Sequence, residues 1–414
     1  MNPVQAARFD WWLTGLCLAR AFSGLVFMTY AAALPVLQKE WAMSATAAGS
    51  ISSAFHFGYA LSLVVCSTFA DLLGSKRIYL ASTFAGAFFA AAFALFARDF
   101  WSGLILYSLV GISMGGTYTT GLMLLADHYP VQRRGMAIGF FIASSSAGFA
   151  LSLVISGLTL TLGGYKLSFL VCALGPVLGA LLGWATLRHT KVPVIKRQKQ
   201  QRFTREVLRN RPAMLLIGAY TFHCWELLGM WAWTPAFLAN CLMLEGIQGL
   251  KAAGIGSYLN ALLHGVGILA SFSMGILSDR LGRARVIILA AGISALCSFL
   301  FGWSMGWPFS VVIALGLVYG FFVLGDSPVL SAGLTEVVQT SYLGAAYGLR
   351  SLLGFGAGSL SPMLFGAILD WTNPGAAGGQ YAVWGWAYGN LGIAGLFAVL
   401  SARQLGKIQI NSKA

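Results

Sequence analysis

Runs of about twenty apolar residues recur along this 414-residue chain from end to end. Each run is long enough to cross a ~30 Å hydrocarbon layer as a helix rising ~1.5 Å per residue. Backbone in hydrocarbon must satisfy its own hydrogen bonds, and for runs of this length the helix does so. Twelve spans are predicted: 12–34, 45–70, 78–97, 101–126, 136–160, 166–187, 213–238, 252–277, 286–304, 308–333, 344–369 and 381–402. Charged residues make up 9% of the chain, against about 25% in an ordinary soluble domain. No soluble domain of useful size remains between the spans. The 51 glycines suit close approach of one helix to another. The expected class is an all-α membrane protein with twelve transmembrane helices.

Lysine and arginine orient it. With the N-terminus inside, 20 of the 26 fall on the cytoplasmic side. These are Arg8, Lys76, Arg77, Arg133, Arg134, Arg280, Arg283, Arg285, Arg403, Lys407, Lys413 and nine residues of segment 188–211. Lys39, Arg98, Lys166 and Lys251 fall outside, while Arg20 and Arg350 lie within spans. Both termini are therefore expected in the cytoplasm. The net charge of +14 reports topology, and nucleic acid is not expected as a partner. The first apolar run contains Arg20 and lacks a small-residue cleavage site, so it is expected to remain as a helix. Cys17, Cys66, Cys172, Cys224, Cys241 and Cys297 show no C-x-x-C spacing and read as packing residues, with no metal or cofactor implied. The chain has no N-x-S/T sequon, which fits a bacterial inner membrane.

One long polar stretch, 188–212, separates span six from span seven and reads as a cytoplasmic basic linker. It divides the chain into an N-terminal six-helix bundle, 1–187, and a C-terminal one, 213–414. The halves share a landmark. "STFADLLGSKR", 67–77, follows span two, and "GILSDRLGRAR", 275–285, follows span eight. Asp71, Gly74 and Arg77 align with Asp279, Gly282 and Arg285 at one offset, 208 residues. Six spans repeated at matched positions mark a transporter built from two pseudo-symmetric bundles with its substrate site between them.

The second copy resembles the G-x-L-x-D-R-x-G-R-[RK]-[RK] loop of the major facilitator superfamily. Gly275, Leu277, Ser278, Asp279, Arg280, Gly282, Arg283 and Arg285 match it, with Ala284 at one basic position. In the first copy Ser67 replaces the leading Gly, and Leu72 replaces the Arg. "DHYPVQRRG", 127–135, is similar to that family's loop after span four, and "GGYKLSF", 163–169, to its segment before span six. The resemblance covers the whole chain and implies the major facilitator fold. Span four carries Tyr107 where proton-coupled members often carry Arg, and span five lacks the GP-containing motif of drug/proton antiporters. Both departures weigh against drug efflux. Asp71, Asp279 and Arg280 are expected to serve gating: a carboxylate at a helix end caps a neighbouring dipole or pairs with Arg, and such a contact can latch one conformer. Loop solubility is the plainer alternative.

A charge in hydrocarbon costs ~2.5–3.5 kcal/mol on insertion scales, so each ionisable residue within a span is a functional candidate. His56, in "SSAFHFGY", lands on His264 at the 208-residue offset, and each precedes its loop aspartate by fifteen residues. They are expected at matching depth, facing each other near the midplane, either in a shared cavity or as structural histidines. Arg20 in span one is a candidate carboxylate ligand, since its fork matches a carboxylate bidentately; organic-anion symporters of the superfamily also place an Arg there. The alternative is an interhelical or snorkelling Arg. Tyr118 and Trp225 join the substrate-binding candidates. His223 and Glu226 stand three residues apart on one helical face and are the proton-coupling candidates, with a fixed Glu226–Arg20 ion pair as the alternative. Trp225, Trp231 and Trp233 are expected at the outer mouth or in an interfacial belt. Asp326 and Arg350, each about two turns from the cytoplasmic face, are expected to form a gating or structural ion pair. Pro328 and the Gly/Ser-rich start of span eleven are expected to supply bending.

No phosphate loop, HExxH or GxSxG is present, so neither an ATP-driven pump nor an enzyme is expected. These residues predict a secondary carrier: a monomer in the bilayer, moving a small organic anion such as a carboxylate, together with protons, by alternating access. A carrier of a metal ion or chelate, using His56, His264, His223 and Glu226, is the first alternative. A non-transporting receptor on the same fold is the second.

Overall fold

The computed structural model describes residues 10–190, 204–339, 342–376 and 378–411. Arg8, Lys413 and positions 191–203 of the basic linker, which carry part of the orientation and linker expectations, lie outside the described residues. The rest is helical. Helix α1 (Trp11–Ser23) starts at Asp10, whose side chain accepts from Leu13 N–H at 3.0 Å. It passes through a tight turn at Gly24–Val26 into α2 (Thr29–Glu40), and together they make one 30-residue crossing. Then come α3 (Ala45–Leu73), α4 (Ser75–Phe96), α5 (Phe100–His128) and α6 (Val131–Leu187). The second half holds α7 (Arg211–Leu244), α8 (Gly249–Leu281), α9 (Arg283–Phe301), α10 (Phe309–Val337), α11 (Leu343–Gly358), α12 (Ser361–Thr372) and α13 (Gly385–Asn411).

Among the described residues, eleven stretches are long and apolar enough to cross a membrane. The twelfth crossing is inside α6. Its 57 residues would rise ~85 Å, nearly three hydrocarbon cores. The helix breaks at Gly163 and Gly164, where Gly164 takes φ +66°, a left-handed value that a side chain resists. The break falls between the predicted spans five and six. Span eleven is likewise interrupted, at Ser359–Leu360 between α11 and α12, whereas Pro328 sits inside an unbroken α10.

Packing repeats between the halves. Helix α3 packs on α5 as α8 packs on α10, and α4 on α5 as α9 on α10. Helix α4 meets α6 as α9 meets α13. The repeated loop has a physical basis: Gly74 and Gly282 reverse the chain between consecutive helices at φ +93° and +89°, which explains why glycine recurs at both copies. This end of the molecule, which carries Lys76, Arg77, Arg280, Arg283 and Arg285, is termed the basic face.

The halves are joined at the opposite face. There α3 meets α12, and α6 meets α8. The Asp370 carboxylate of α12 accepts from Ala45 N–H and Thr46 N–H, both at 2.8 Å, and from the Thr46 hydroxyl at 2.6 Å. It thus caps the positive end of α3. Met363 N–H donates to Ser53 Oγ at 3.0 Å, and Gln38 reaches the Tyr381 hydroxyl at 2.5 Å. Gly49 lies against the Pro362 carbonyl so closely that a Cβ there would overlap it. Toward the basic face the same rows separate. The α3 row that begins Thr46, Gly49, Ser53 continues as exposed Phe57, Leu61 and Val64. The α8 row after Gly254 continues as exposed Leu262, Leu269, Phe272 and Ile276. The rows thus part toward the basic face, where we infer a cleft between the halves.

Charge-assisted hydrogen bonds of this kind contribute about 1.5–3 kcal/mol each. Asp370→Ala is expected to loosen the clamp and raise thiol labelling of a cysteine placed at Ser50, one turn along α3 from Thr46, at least tenfold; unchanged labelling would show that the remaining contacts, Gly49–Pro362, Met363–Ser53 and Gln38–Tyr381, hold this face shut.

Candidate functional site

Arg20, in the last turn of α1, is 2% exposed. Its Nε donates to Ser145 Oγ on α6 and its Nη1 to Thr117 Oγ1 on α5, both at 2.8 Å. The Tyr118 and Phe141 rings lie 5.3 Å and 5.7 Å from its guanidinium carbon. The hydroxyls orient the fork, and the rings stabilise its charge through their π faces. They do not neutralise it.

The second half repeats the design with the helices exchanged. Arg350 comes from α11. Its Nη1 donates to Ser331 Oγ on α10 at 2.6 Å, and its guanidinium sits between Tyr220 at 4.1 Å and Tyr347 at 4.8 Å. Among the described residues its Nε has no hydrogen-bond partner. Tyr118 of the first half lies within electrostatic reach of both Tyr220 and Tyr347. Tyr59 touches Tyr118 at 6.5 Å between ring centroids and Phe355 of the other half at 5.3 Å. Arginine–tyrosine pairs from both halves thus meet near the seam between the halves, with Arg20 itself buried.

One expected pairing, one alternative pairing and one expected location are corrected. Asp326 does not pair with Arg350: its Oδ1 lies 2.8 Å from His223 Nδ1, both side chains almost fully buried. The expected pair assumed that consecutive antiparallel helices bring these residues together, but α11 turns Arg350 toward Ser331 and the tyrosines. Glu226 does not pair with Arg20: it accepts from Ser294 Oγ on α9 at 2.7 Å and lies beside Gly395 on α13. His223 and Glu226, three residues apart, diverge: His223 meets Asp326 of α10 and Glu226 meets Ser294 of α9. Nor does Trp233 line an outer mouth. It is fully buried against Phe365 and Trp384, donating to the Pro362 carbonyl at 2.9 Å. Trp225 is half-buried on the core.

His56 packs on Phe27 and His264 on Trp231, and those two rings meet at 6.0 Å between centroids. The structure thus joins the two imidazoles through an aromatic bridge across the halves. At the basic face, Arg283 links Asp279 at 2.6 Å to Glu336 at 2.9 Å, tying the loop after α8 to the end of α10. Asp71 is half-buried near the end of α3, and Arg280 is exposed. A groove of about 1190 Å³ opens beside Asp279, Arg280, Arg283, Arg285 and Arg403. It lies among α8, α9, α10 and α13, away from both cleft arginines. Thr117, Ser145, Ser331, Tyr59, Phe27 and Phe149 were invisible to residue-type reasoning, since hydroxyls and aromatics populate every span.

The Major Facilitator Superfamily family model matches residues 16–269, more than half of the chain. The chain belongs to this superfamily. It is a multi-pass membrane transporter and not an enzyme. A probable 4-methylmuconolactone transporter of Cupriavidus pinatubonensis is 26% identical over 344 residues, covering 78% of this chain and 76% of the relative. A gallate transporter of Pseudomonas putida is 23% identical, covering 89% and 87%. Among solved structures, a mutant of the nucleoside transporter NupG superposes with a TM-score of 0.75 at 15% identity, covering 95% of this chain and 99% of that one. This last likeness concerns the fold.

Leaving a buried polar group without its partner costs about 1–3 kcal/mol, whereas a neutral replacement that keeps a hydrogen bond costs about 1 or less. Asp326→Ala is expected to lower the melting temperature in detergent by several degrees more than Glu226→Gln. Equal shifts would place the His223 contact outside the folded state's essential interactions.

Proposed function

We propose that this superfamily transporter is a proton-coupled symporter of an organic anion, a carboxylate. The observation that carries the reading is the pair of cleft arginines. Arg20 and Arg350 each hold hydroxyl and aromatic partners in place of a carboxylate. A guanidinium stays protonated at any physiological pH, so in a low-dielectric wall it attracts an anion from solution. A carboxylate accepts two parallel hydrogen bonds from the fork, and the tyrosine rings cover its apolar body. The relatives support the same class, since gallate is a carboxylate.

Proton coupling is assigned to His223 with Asp326. The Tyr220 ring touches both ends of the route: its centroid is 5.5 Å from the His223 ring and 4.1 Å from the Arg350 guanidinium. An anion bound at Arg350 changes the field at the pair one ring away, which links substrate binding to protonation. Glu226, held by Ser294, is the second candidate. The metal-carrier alternative loses its ligand set, because His223, Glu226, His56 and His264 meet different neighbours. The basic face is read as cytoplasmic by the positive-inside rule. On that reading the cleft is inward-facing, both termini are cytoplasmic, and the membrane is a bacterial inner membrane. The bundles 1–187 and 213–414, joined by linker 188–212, rock against each other. The carrier works as a monomer.

Arg20→Lys and Arg350→Lys keep the charge but lose the fork. Each is expected to raise the KM for the transported acid about tenfold or more in proteoliposomes. Asp326→Asn is expected to abolish accumulation driven by a pH gradient while leaving substrate exchange intact. Uptake insensitive to both arginine changes would sink the anion reading. Full proton-driven accumulation in Asp326→Asn would move coupling to Glu226.

A further inference from the structure

Behind the arginines, on the side away from the basic face, three rings close the cleft. Phe27 and Phe149 of the first half stack at 4.0 Å, and Trp231 of the second half lies 6.0 Å and 5.8 Å from them. The two imidazoles flank this cluster: His56 is 5.6 Å from Phe27, and His264 is 5.3 Å from Trp231. They are 7% and 9% exposed, and the Nε2 of each has no hydrogen-bond partner among the described residues. The His56 Nδ1 lies 2.8 Å from the Ser52 carbonyl oxygen. A carbonyl only accepts, so Nδ1 carries the hydrogen, and in the neutral ring Nε2 presents a lone pair. One turn along α8 from His264, Asn260 Nδ2 is also without a partner among the described residues, on a residue 1% exposed.

Buried polar atoms are almost always satisfied, so two unsatisfied imidazole nitrogens on one aromatic cluster, with a third unsatisfied atom on Asn260 one helical turn from His264, require an explanation. At the repeat offset Asn260 corresponds to Ser52 and His264 to His56. The same register of two repeat-related helices therefore carries the arrangement.

We propose that His56, His264 and Asn260 form a second subsite, which recognises a hydroxyl group of the transported acid. A hydroxyl is both donor and acceptor. It donates to an imidazole Nε2 and accepts from the Asn260 amide. The faces of Phe27, Phe149 and Trp231 receive the ring or carbon framework between the two ends. Phe27 follows Arg20 by seven residues, past the turn at Gly24–Val26, so the arginine lies on the basic-face side of the ring cluster that the imidazoles flank. The chemical class is a hydroxylated carboxylate, aromatic or sugar-derived. In the present conformation His56, His264 and Asn260 are all buried. Opening of the Asp370 clamp uncovers it, so the subsite reads the solute as it enters from the clamped face. This inference rests on the organic-anion reading.

The test is competition uptake into proteoliposomes with full-length protein, using paired probes. They are 4-hydroxybenzoate against benzoate, and galactonate against its 6-deoxy counterpart. A site built to bond a hydroxyl rejects the analogue that lacks it, so the wild type is expected to prefer the hydroxylated member of at least one pair by roughly tenfold or more. The double variant His56→Phe with His264→Phe is expected to bring that ratio close to one, by losing affinity for the hydroxylated member alone. The double variant His56→Gln with His264→Gln, whose amides reach the Nε2 positions, is expected to keep most of the preference. An unchanged ratio in the Phe variant overturns the subsite, and so does an equal loss for both members. A wild type that takes up no carboxylate overturns the anion reading beneath it. Carboxylate uptake with an unaltered ratio overturns the subsite alone.

Discussion

A guanidinium inside a membrane-spanning wall cannot discharge itself. That constraint governs the arrangement around Arg20 and Arg350. Each half holds its cation by the cheapest available means: serine or threonine hydroxyls from neighbouring helices and the faces of aromatic rings. These contacts orient the fork without cancelling its charge. A carboxylate partner within the protein would have produced a stronger fixed pair and a weaker attraction for any incoming anion. The buried acids are instead occupied elsewhere. Asp326 takes His223, and Glu226 takes Ser294, so the cleft keeps its positive field.

Much of the fold was legible because hydrocarbon leaves so few options. Twelve apolar runs, a basic linker and a loop repeated at a fixed offset are enough to specify two bundles of six. Even the bend that divides α6 was foreshadowed by adjacent glycines at 163 and 164. The site was legible only in part. Residue type singled out Arg20, His56, His264 and Arg350, since ionisable groups are rare in spans. It could not say which neighbours they meet. Asp326 met His223 and not Arg350, because partner choice depends on the rotation of each helix about its axis. An apolar run that is hydrophobic all round does not encode that angle. The supporting hydroxyls and rings carry still less signal, since identical residues elsewhere face lipid or fill cores.

The repeat itself has diverged in an informative way. Its loops kept their left-handed glycines at 74 and 282, while the cleft arginines moved to non-equivalent helices, α1 in one half and α11 in the other. The backbone geometry of a turn is hard to replace. The helix that delivers a cation to a cleft is interchangeable, provided a long side chain reaches the same place. The paired imidazoles, by contrast, stayed in register.

The break at Ser359–Leu360 divides span eleven into two mechanically separate pieces. Helix α12 carries Asp370 and is fastened to α3, whereas α11 carries Arg350 and borders the open cleft. A rigid span would force both ends to move together, so closing the inner end would pry open the outer one. With a joint between them, α11 can swing inward over a bound solute while α12 stays in place. On the proposed alternating-access reading, such a joint lets both ends close at once around a solute before either one opens.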